Sequence, residues 1–404
     1  MTSTSQATPL ASERRRRNRR ARPEPVVLSR DEARTYLLGQ LALNRPQPKK
    51  GAAGVRALLA RLRCIQLDPL DTLGTNADLV TLARVDGIAK GDVYRHLLPG
   101  HAFEHFAKER CLLPASAFPY YRRQAAETPW WRLGDRLERL APQVLERVLE
   151  EVATRGPVSA AALADHGRVE PLDWDGWKGT PKATSMALEV LWTRCQVVVC
   201  GRDPKRYDIP IRALPEHAGA EPGAAFARWA LLERVEAAGL LCRAGGPLWS
   251  MLHAVRTSDL PDRLIEEGAL EEAVIEGSAR RYLAPSGFRE RRFPRPDARM
   301  RLIGPLDPVL WDRRLVAEVF GFDYVWEVYK PAAQRRWGWY VVPLLYRGRF
   351  VGRLEGRLVE GALRIDRIWR EPGVSLDEEA LDAALSRHAR ACGVEQPVRP
   401  ALAL

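Results

Sequence analysis

The sequence predicts an α+β protein built from tandem units of helices followed by a β-hairpin, then a C-terminal β-barrel-like domain and a terminal helix. Three observations predict it. Between residues 144 and 210 helical spacing gives way to a β-hairpin pattern; a similar order returns between 222 and 295; and from Met300 onward the pattern is mostly β. At 404 residues the chain is too long for one compact core and should divide into several domains.

The elements follow in order. Ser29 precedes Asp31, Glu32 and a helical pattern through Leu43, as an N-cap with an acidic first turn should. A Pro/Gly/Lys break separates it from a second helix, Val55 to Arg63. Further on, a helix from Val144 to Thr154 stops at Gly156-Pro157, Ser159 is expected to cap a short helix over Ala160 to His166, and a third helix spans Thr184 to Cys195. Val197 to Cys200 and Tyr207 to Ile209 then form a hairpin whose basic tip carries Arg202, Lys205 and Arg206. Three helices followed by such a hairpin make a winged helix, and the wing tip is where phosphate contacts belong.

The second unit repeats that order less strictly. A helix over Ala224 to Ala238 precedes helical segments at Leu248 to Val255 and Leu260 to Glu267, then strands at Ala273 to Ile275 and Arg280 to Leu283, the latter made basic by Arg280 and Arg281. In the C-terminal segment Trp339 to Leu345, Phe350 to Leu354 and Leu363 to Ile368 read as a meander or small barrel. A capping box at Ser375 and Glu378 should open the last helix, which ends at Gly393.

The formal charge of +12 favours a polyanionic partner, because neutralised phosphates release condensed counterions. Seven arginines between Arg14 and Arg22, with Glu13 and Glu24 beside them, form a tail of net charge about +5 too polar to bury a core, yet the remaining chain still keeps about +7. No run approaches the roughly 18 apolar residues of a membrane span, and no signal-like apolar run follows the arginines, so a soluble cytoplasmic protein is expected. Six cysteines without paired spacing indicate reduced, mostly buried thiols. His101-Ala-Phe-Glu-His105 fits an inverted zinc-peptidase pattern, but the pattern is short and no downstream acidic helix offers a third ligand; no metal or cofactor is expected. Trp130, Trp131, Trp174 and Trp177 near Lys178 and Lys182 are candidate base-stacking wedges, although core packing is the commoner role of tryptophan.

The candidate chemistry lies in Cys64-Ile-Gln-Leu-Asp-Pro69. Alternation and the following proline favour an extended segment, on which Gln66 and Asp68 share one face while Ile65 and Leu67 anchor the other. An amide and a carboxylate side by side are able to hold a water by two hydrogen bonds. A half-buried strand with a wet face gives the same pattern without any activity.

Ile65-Gln-Leu-Asp68, Arg110-Cys-Leu-Leu-Pro114 after Glu104, Gly156-Pro-Val158, Ile303-Gly-Pro-Leu-Asp-Pro-Val-Leu-Trp-Asp-Arg313 and Arg336-Trp-Gly-Trp-Tyr-Val-Val-Pro-Leu-Leu345 together resemble the YcaQ/AlkZ family of winged-helix DNA glycosylases. The resemblance spans about Ser29 to Arg390. It implies three winged-helix units (26–142, 143–215 and 222–295) after a tail over 1–25, then a β-domain with its helix over 296–404, around a cationic channel for double-stranded DNA. It also implies a monomer without a cofactor that hydrolyses the glycosidic bond of purines alkylated at the seven-position nitrogen, some members unhooking interstrand crosslinks. Gln66 and Asp68 match the family's catalytic signature, Gln66 to orient water and Asp68 to take its proton and stabilise the oxocarbenium-like sugar. Glu104 and Lys108 are the implied active-site neighbours, with Lys108 standing where the Asp-bearing branch is expected to carry His; Asp71 and Asn76 lie close in sequence. Arg335 and Arg336 join the wing residues as candidate DNA contacts, beside Trp337 and Trp339, which read as packing. The rival from another class is a non-enzymatic winged-helix regulator, in which Gln66 and Asp68 would matter only to affinity.

Overall fold

The computed structural model describes residues 23–127, 133–170, 181–394 and 397–398. The arginine tail and Trp130, Trp131, Trp174, Trp177 and Lys178 lie outside the described residues. The fold is mixed α and β, with helices distributed among four small sheets of the described residues.

The first helix, Arg30–Gln40, starts where its capping box dictates: Ser29 accepts from the Glu32 amide and Glu32 Oε2 accepts from the Ser29 amide at 2.8 Å. The second, Gly51–Leu62, ends as Arg63 turns left-handed at φ 63° and releases the chain into the strand Ile65–Gln66. That strand pairs antiparallel with Arg110–Pro114, which pairs in turn with Ala102–Phe106. In register, Gln66 faces Cys111 and His105 along one row, and Ile65 faces Leu112 and Glu104 along the next. Adjacent rows project to opposite faces of a sheet.

The segment from 142 to 208 contains the helices Pro142–Arg155 and Ala183–Thr193, then the hairpin Val198–Gly201 and Arg206–Asp208, with Val158–Ser159 as a third strand. The helix expected over Ala160 to His166 is one 3-10 turn, Ala160–Ala162, and Ser159 makes no side-chain cap. Local polar bonds win there: Asp165 accepts the Gly167 amide at 2.9 Å and Glu151 takes the Ala164 amide at 3.1 Å. Likewise Leu248 to Val255 splits into a 3-10 turn, Pro247–Trp249, and a short helix, His253–Thr257, because buried Trp249 donates its indole N–H to the Cys242 carbonyl.

The strands Leu270–Ile275 and Arg281–Pro285 form an antiparallel pair, and Val26–Leu28 joins it in parallel. The chain's first described strand is thus built into a sheet formed some 245 residues later.

At the C-terminal end Arg301–Leu302, Val341–Tyr346, Arg349–Val359 and Ala362–Arg370 make a four-stranded antiparallel sheet in that order. It is an open meander, which corrects the expected barrel: four strands cannot curl into closure, and the helix Glu378–Ala391 packs Leu381, Leu385 and Ala389 into the core shared with the sheet. Asp377, not Ser375, caps that helix by accepting from the Ala380 amide, while Leu376 is buried and the Tyr346 hydroxyl holds the same carboxylate at 2.7 Å.

The largest apolar cluster runs from Leu38 through Ile65, Leu112 and Trp192 to Phe350, so no unit has a private core. Inside it Arg84 meets Asp307 through two hydrogen bonds, 2.7 and 2.8 Å, with both side chains fully buried. Asp307 also caps the turn Pro308–Leu310. The Gly-Pro-Leu-Asp-Pro motif is therefore a clamp between the C-terminal segment and the helix Asn76–Leu82.

Candidate active site

Ile65 and Leu67 are buried in the main core as the sequence predicts, but Gln66 is buried as well, and Asp68 follows two residues on, past the end of the strand Ile65–Gln66. The ladder continues past the strand through the Leu67 amide, which donates to the Arg110 carbonyl at 2.8 Å. Asn76 fixes this backbone by donating to the Gln66 carbonyl at 2.8 Å, and its own oxygen accepts from the Leu306 amide. Gly304 makes the approach possible, since a Cβ there would lie 2.8 Å from the Asn76 oxygen.

Gln66 is 5% exposed, and its Oε1 accepts from Lys108 Nζ at 2.9 Å. The amide is thereby oriented: its oxygen is occupied by an ammonium, and among the described residues its nitrogen has no protein partner. Lys108 sits in the bend after Ala102–Phe106, its ammonium 5.7 Å from the Trp311 ring centroid. Burial pulls its pKa below the ordinary lysine value, with Cys111 and Glu109 pulling the other way.

Asp68 is half-buried, and its Oδ1 accepts the Leu70 amide at 2.9 Å. Desolvation raises its pKa above the ordinary 3.8, against the opposing effect of that hydrogen bond. Tyr340 stands beside it: burial first, then the charges of Asp68 and Asp71, push the tyrosine hydroxyl well up. Asp71 itself pairs with Lys90 at 2.7 Å.

Glu104 is placed differently. The register sets it in the row opposite to Gln66, and its fully buried carboxylate takes two bonds from Arg202, 2.7 and 2.8 Å, with Arg110 at 3.4 Å. The Trp192 indole donates to its carbonyl. The structure thus brings Lys108 to Gln66 but not Glu104. His105 stacks on Trp192 at 5.1 Å and bonds the Thr193 carbonyl, and burial drives its pKa down to about 3. The H-x-x-E-H run lies on and beside a strand, with its glutamate committed to arginine, so its residues do not form the helical pair that the zinc pattern requires.

The candidate DNA-contacting cations divide into two groups. Arg202 is tied to Glu104, Arg280 to Asp312 at 2.8 Å, and Arg281 to Glu272 at 2.9 Å; Lys205 is half-buried over the Tyr207 ring near Glu189. Arg206 and Arg336 are exposed, and Arg335 bonds the Lys330 carbonyl; none of the three has a carboxylate partner among the described residues. Glu327 organises this last loop by accepting the Arg336 and Trp337 amides, and these bonds with Lys330 outweigh burial to bring its pKa down to about 2.

Trp311, Tyr340 and the structural role of Asn76 escaped sequence reasoning. A tryptophan inside the Gly-Pro-Leu-Asp-Pro block was the available signal for the first. Nothing local marks Tyr340, which is 272 residues from Asp68.

Residues 59–391 match the family model described as DNA glycosylase AlkZ-like. Among solved structures, the Streptomyces sahachiroi DNA glycosylase AlkZ is similar at 20% identity and a TM-score of 0.56, over 93% of this chain and 100% of that one. At that identity the likeness bears on fold alone. Among the described residues no helix is long and apolar enough to cross a membrane.

Proposed function

Because the chain belongs to the AlkZ-like DNA glycosylase family, we propose that it hydrolyses the N-glycosidic bond of purines alkylated at the seven-position nitrogen, with Gln66 and Asp68 as its catalytic pair. Family membership decides for an enzyme over a non-enzymatic regulator. The observation that carries the finer reading is the Lys108 bond, which leaves the Gln66 amide nitrogen as a fixed donor beside a carboxylate two residues on.

In this reading the Gln66 N–H₂ group holds a water by one lone pair, and Asp68 accepts one of its protons as the other lone pair attacks the anomeric carbon. The carbon–nitrogen bond breaks with its electrons passing to the base. Alkylation makes that base cationic, so it departs neutral and no general acid is needed. The negative Asp68 also stabilises the oxocarbenium-like sugar. Water is the nucleophile, and the product is an abasic site. The same step on one arm of a crosslink through two alkylated guanines would unhook it.

The three helix-and-hairpin units act as winged helices that, with the C-terminal sheet, line the path of duplex DNA, and the protein works as a monomer. The cations without a carboxylate partner among the described residues, Arg206, Arg335 and Arg336, are the first of the candidate contacts to meet phosphate; Arg202, Arg280, Arg281 and Lys205 do so from within existing polar clusters.

The test is release of 7-methylguanine from alkylated duplex DNA. Asp68→Asn is expected to lower the single-turnover rate by at least ~10²-fold while duplex affinity is retained. Unchanged release in that variant removes Asp68 from the mechanism, and no release by the intact protein from methylated or crosslinked duplex overturns the substrate assignment.

A further inference from the structure

Away from the Gln66 row, a cavity of about 680 Å³ opens between the end of the helix Gly51–Leu62 and the segment 291–294. Arg45, Arg61, Arg63, Arg291 and Arg292 line it, and Glu236 is the acid among its lining residues.

Glu236 is engaged by Arg291 at 2.7 and 2.9 Å, which leaves four cations. Neutral acceptors orient three of them. Arg61 bonds the Gln40 and Gly39 carbonyls and lies 5.4 Å from the Phe293 ring centroid; Arg45 bonds the Arg295 carbonyl, and Arg292 the Arg289 carbonyl. Main-chain carbonyls aim a guanidinium without cancelling its charge. Arg63 has a buried Nε with no partner and a loose ion pair to Glu233 at 3.7 Å. Burial, then Arg84 and Arg291, pull the Arg61 pKa below its ordinary value.

We propose that this cavity is a phosphate-binding subsite that takes a backbone phosphodiester of the DNA substrate close to the excised nucleotide. Fixed guanidinium forks match tetrahedral oxyanions in charge and geometry. Proximity follows from the chain: Arg63, the left-handed turn that ends the helix, stands three residues before Gln66, a span of at most about 10 Å, equivalent to no more than about three nucleotides of rise. The assignment rests on the catalytic reading for the position of the excised base, not for the existence of the site. Free inorganic phosphate is the other source of the same chemistry.

The experiment uses the full chain and the double variant Arg45→Gln/Arg63→Gln, with Arg292→Gln as a second, exposed substitution. On undamaged duplex, the slope of log affinity against log salt should flatten by about 0.9 for each phosphate that is no longer neutralised. On a duplex carrying a tetrahydrofuran abasic analogue, a single methylphosphonate near the analogue should weaken the wild type at least ~3-fold and leave the double variant unaffected. Unchanged slopes in both variants, or equal methylphosphonate penalties in wild type and double variant, overturn the proposal. Inorganic phosphate bound by the wild type and not by the double variant, without any change on DNA, overturns the DNA assignment in favour of a free anion. Base release is measured separately: its absence beside a flattened salt slope sinks the catalytic pair and leaves this subsite standing.

Discussion

The two faces of one small sheet, Ile65–Gln66 with Arg110–Pro114 and Ala102–Phe106, each hold a cation against a buried polar group, and they hold it on opposite terms. On one face Arg202 meets the Glu104 carboxylate, charge against charge, with Arg110 behind it. On the other Lys108 meets the Gln66 amide, charge against a neutral oxygen. The first arrangement is closed: every Glu104 oxygen has an arginine, and what it secures is the docking of the hairpin Val198–Gly201 and Arg206–Asp208 onto the N-terminal part of the chain. The second is open. Among the described residues the Gln66 amide nitrogen has no partner, and Asp68, two residues on, accepts only the Leu70 amide.

The largest expected effect is on the closed face. Glu104→Gln leaves Arg202 without its counter-charge and Arg110 with Glu189 alone, and should lower unfolding free energy by about 3 kcal/mol, since removing one partner of a buried pair strands the other. Chemical denaturation measures it, and the base-release rate per folded molecule should stay at the wild-type value. A rate loss without destabilisation would place Glu104 in the chemistry and dissolve the contrast.

Lys108→Met is expected to do the reverse. Replacing a buried ammonium by an apolar chain of similar length should leave the melting temperature level or raised. The rate should fall about 10-fold, because a charge-assisted hydrogen bond of about 1.5–3 kcal/mol no longer fixes the amide. Stopped single turnovers at saturating DNA isolate this from binding. Loss of stability with full activity would make Lys108 part of the scaffold.

The smallest and most diagnostic effect is in the pH profile. Asp68 is needed ionised, and its folded pKa lies above 3.8, so kcat/KM should fall with decreasing pH through a midpoint above that value. Lys108 is needed charged, and its pKa lies below 10.5, so the rate should fall with increasing pH through a midpoint under that value. Lys108→Met should abolish the alkaline limb and keep the acid one. An alkaline limb unchanged by that substitution assigns the titration to another group.

Much of this was legible locally. The Ser29 N-cap, the helix over Pro142–Arg155 and the hairpin after Ala183–Thr193 follow from caps, turn residues and period, which act within a few residues and so survive in a one-dimensional reading. The burial of Ile65 and Leu67 belongs to the same class, whereas the wet face expected for Gln66 does not appear, since it is buried against Lys108. Where local rules compete, the reading failed: polar side chains over 160–166 broke a plausible helix, and Tyr346 recruited Asp377 as the cap in place of Ser375.

The sequence alone determined the longer helices and the hairpins, the basic excess and the adjacency of an amide and a carboxylate, because each depends on composition or spacing along the chain. Tertiary structure alone decided which cations are neutralised, that Glu104 faces away from Gln66 while Lys108 reaches it, and that the four terminal strands stay open. The reason is physical: the partner of a charge is chosen by proximity in space, and Arg202, Asp307 and Tyr340 are brought to their partners from roughly 100 to 270 residues away by packing that no local pattern encodes.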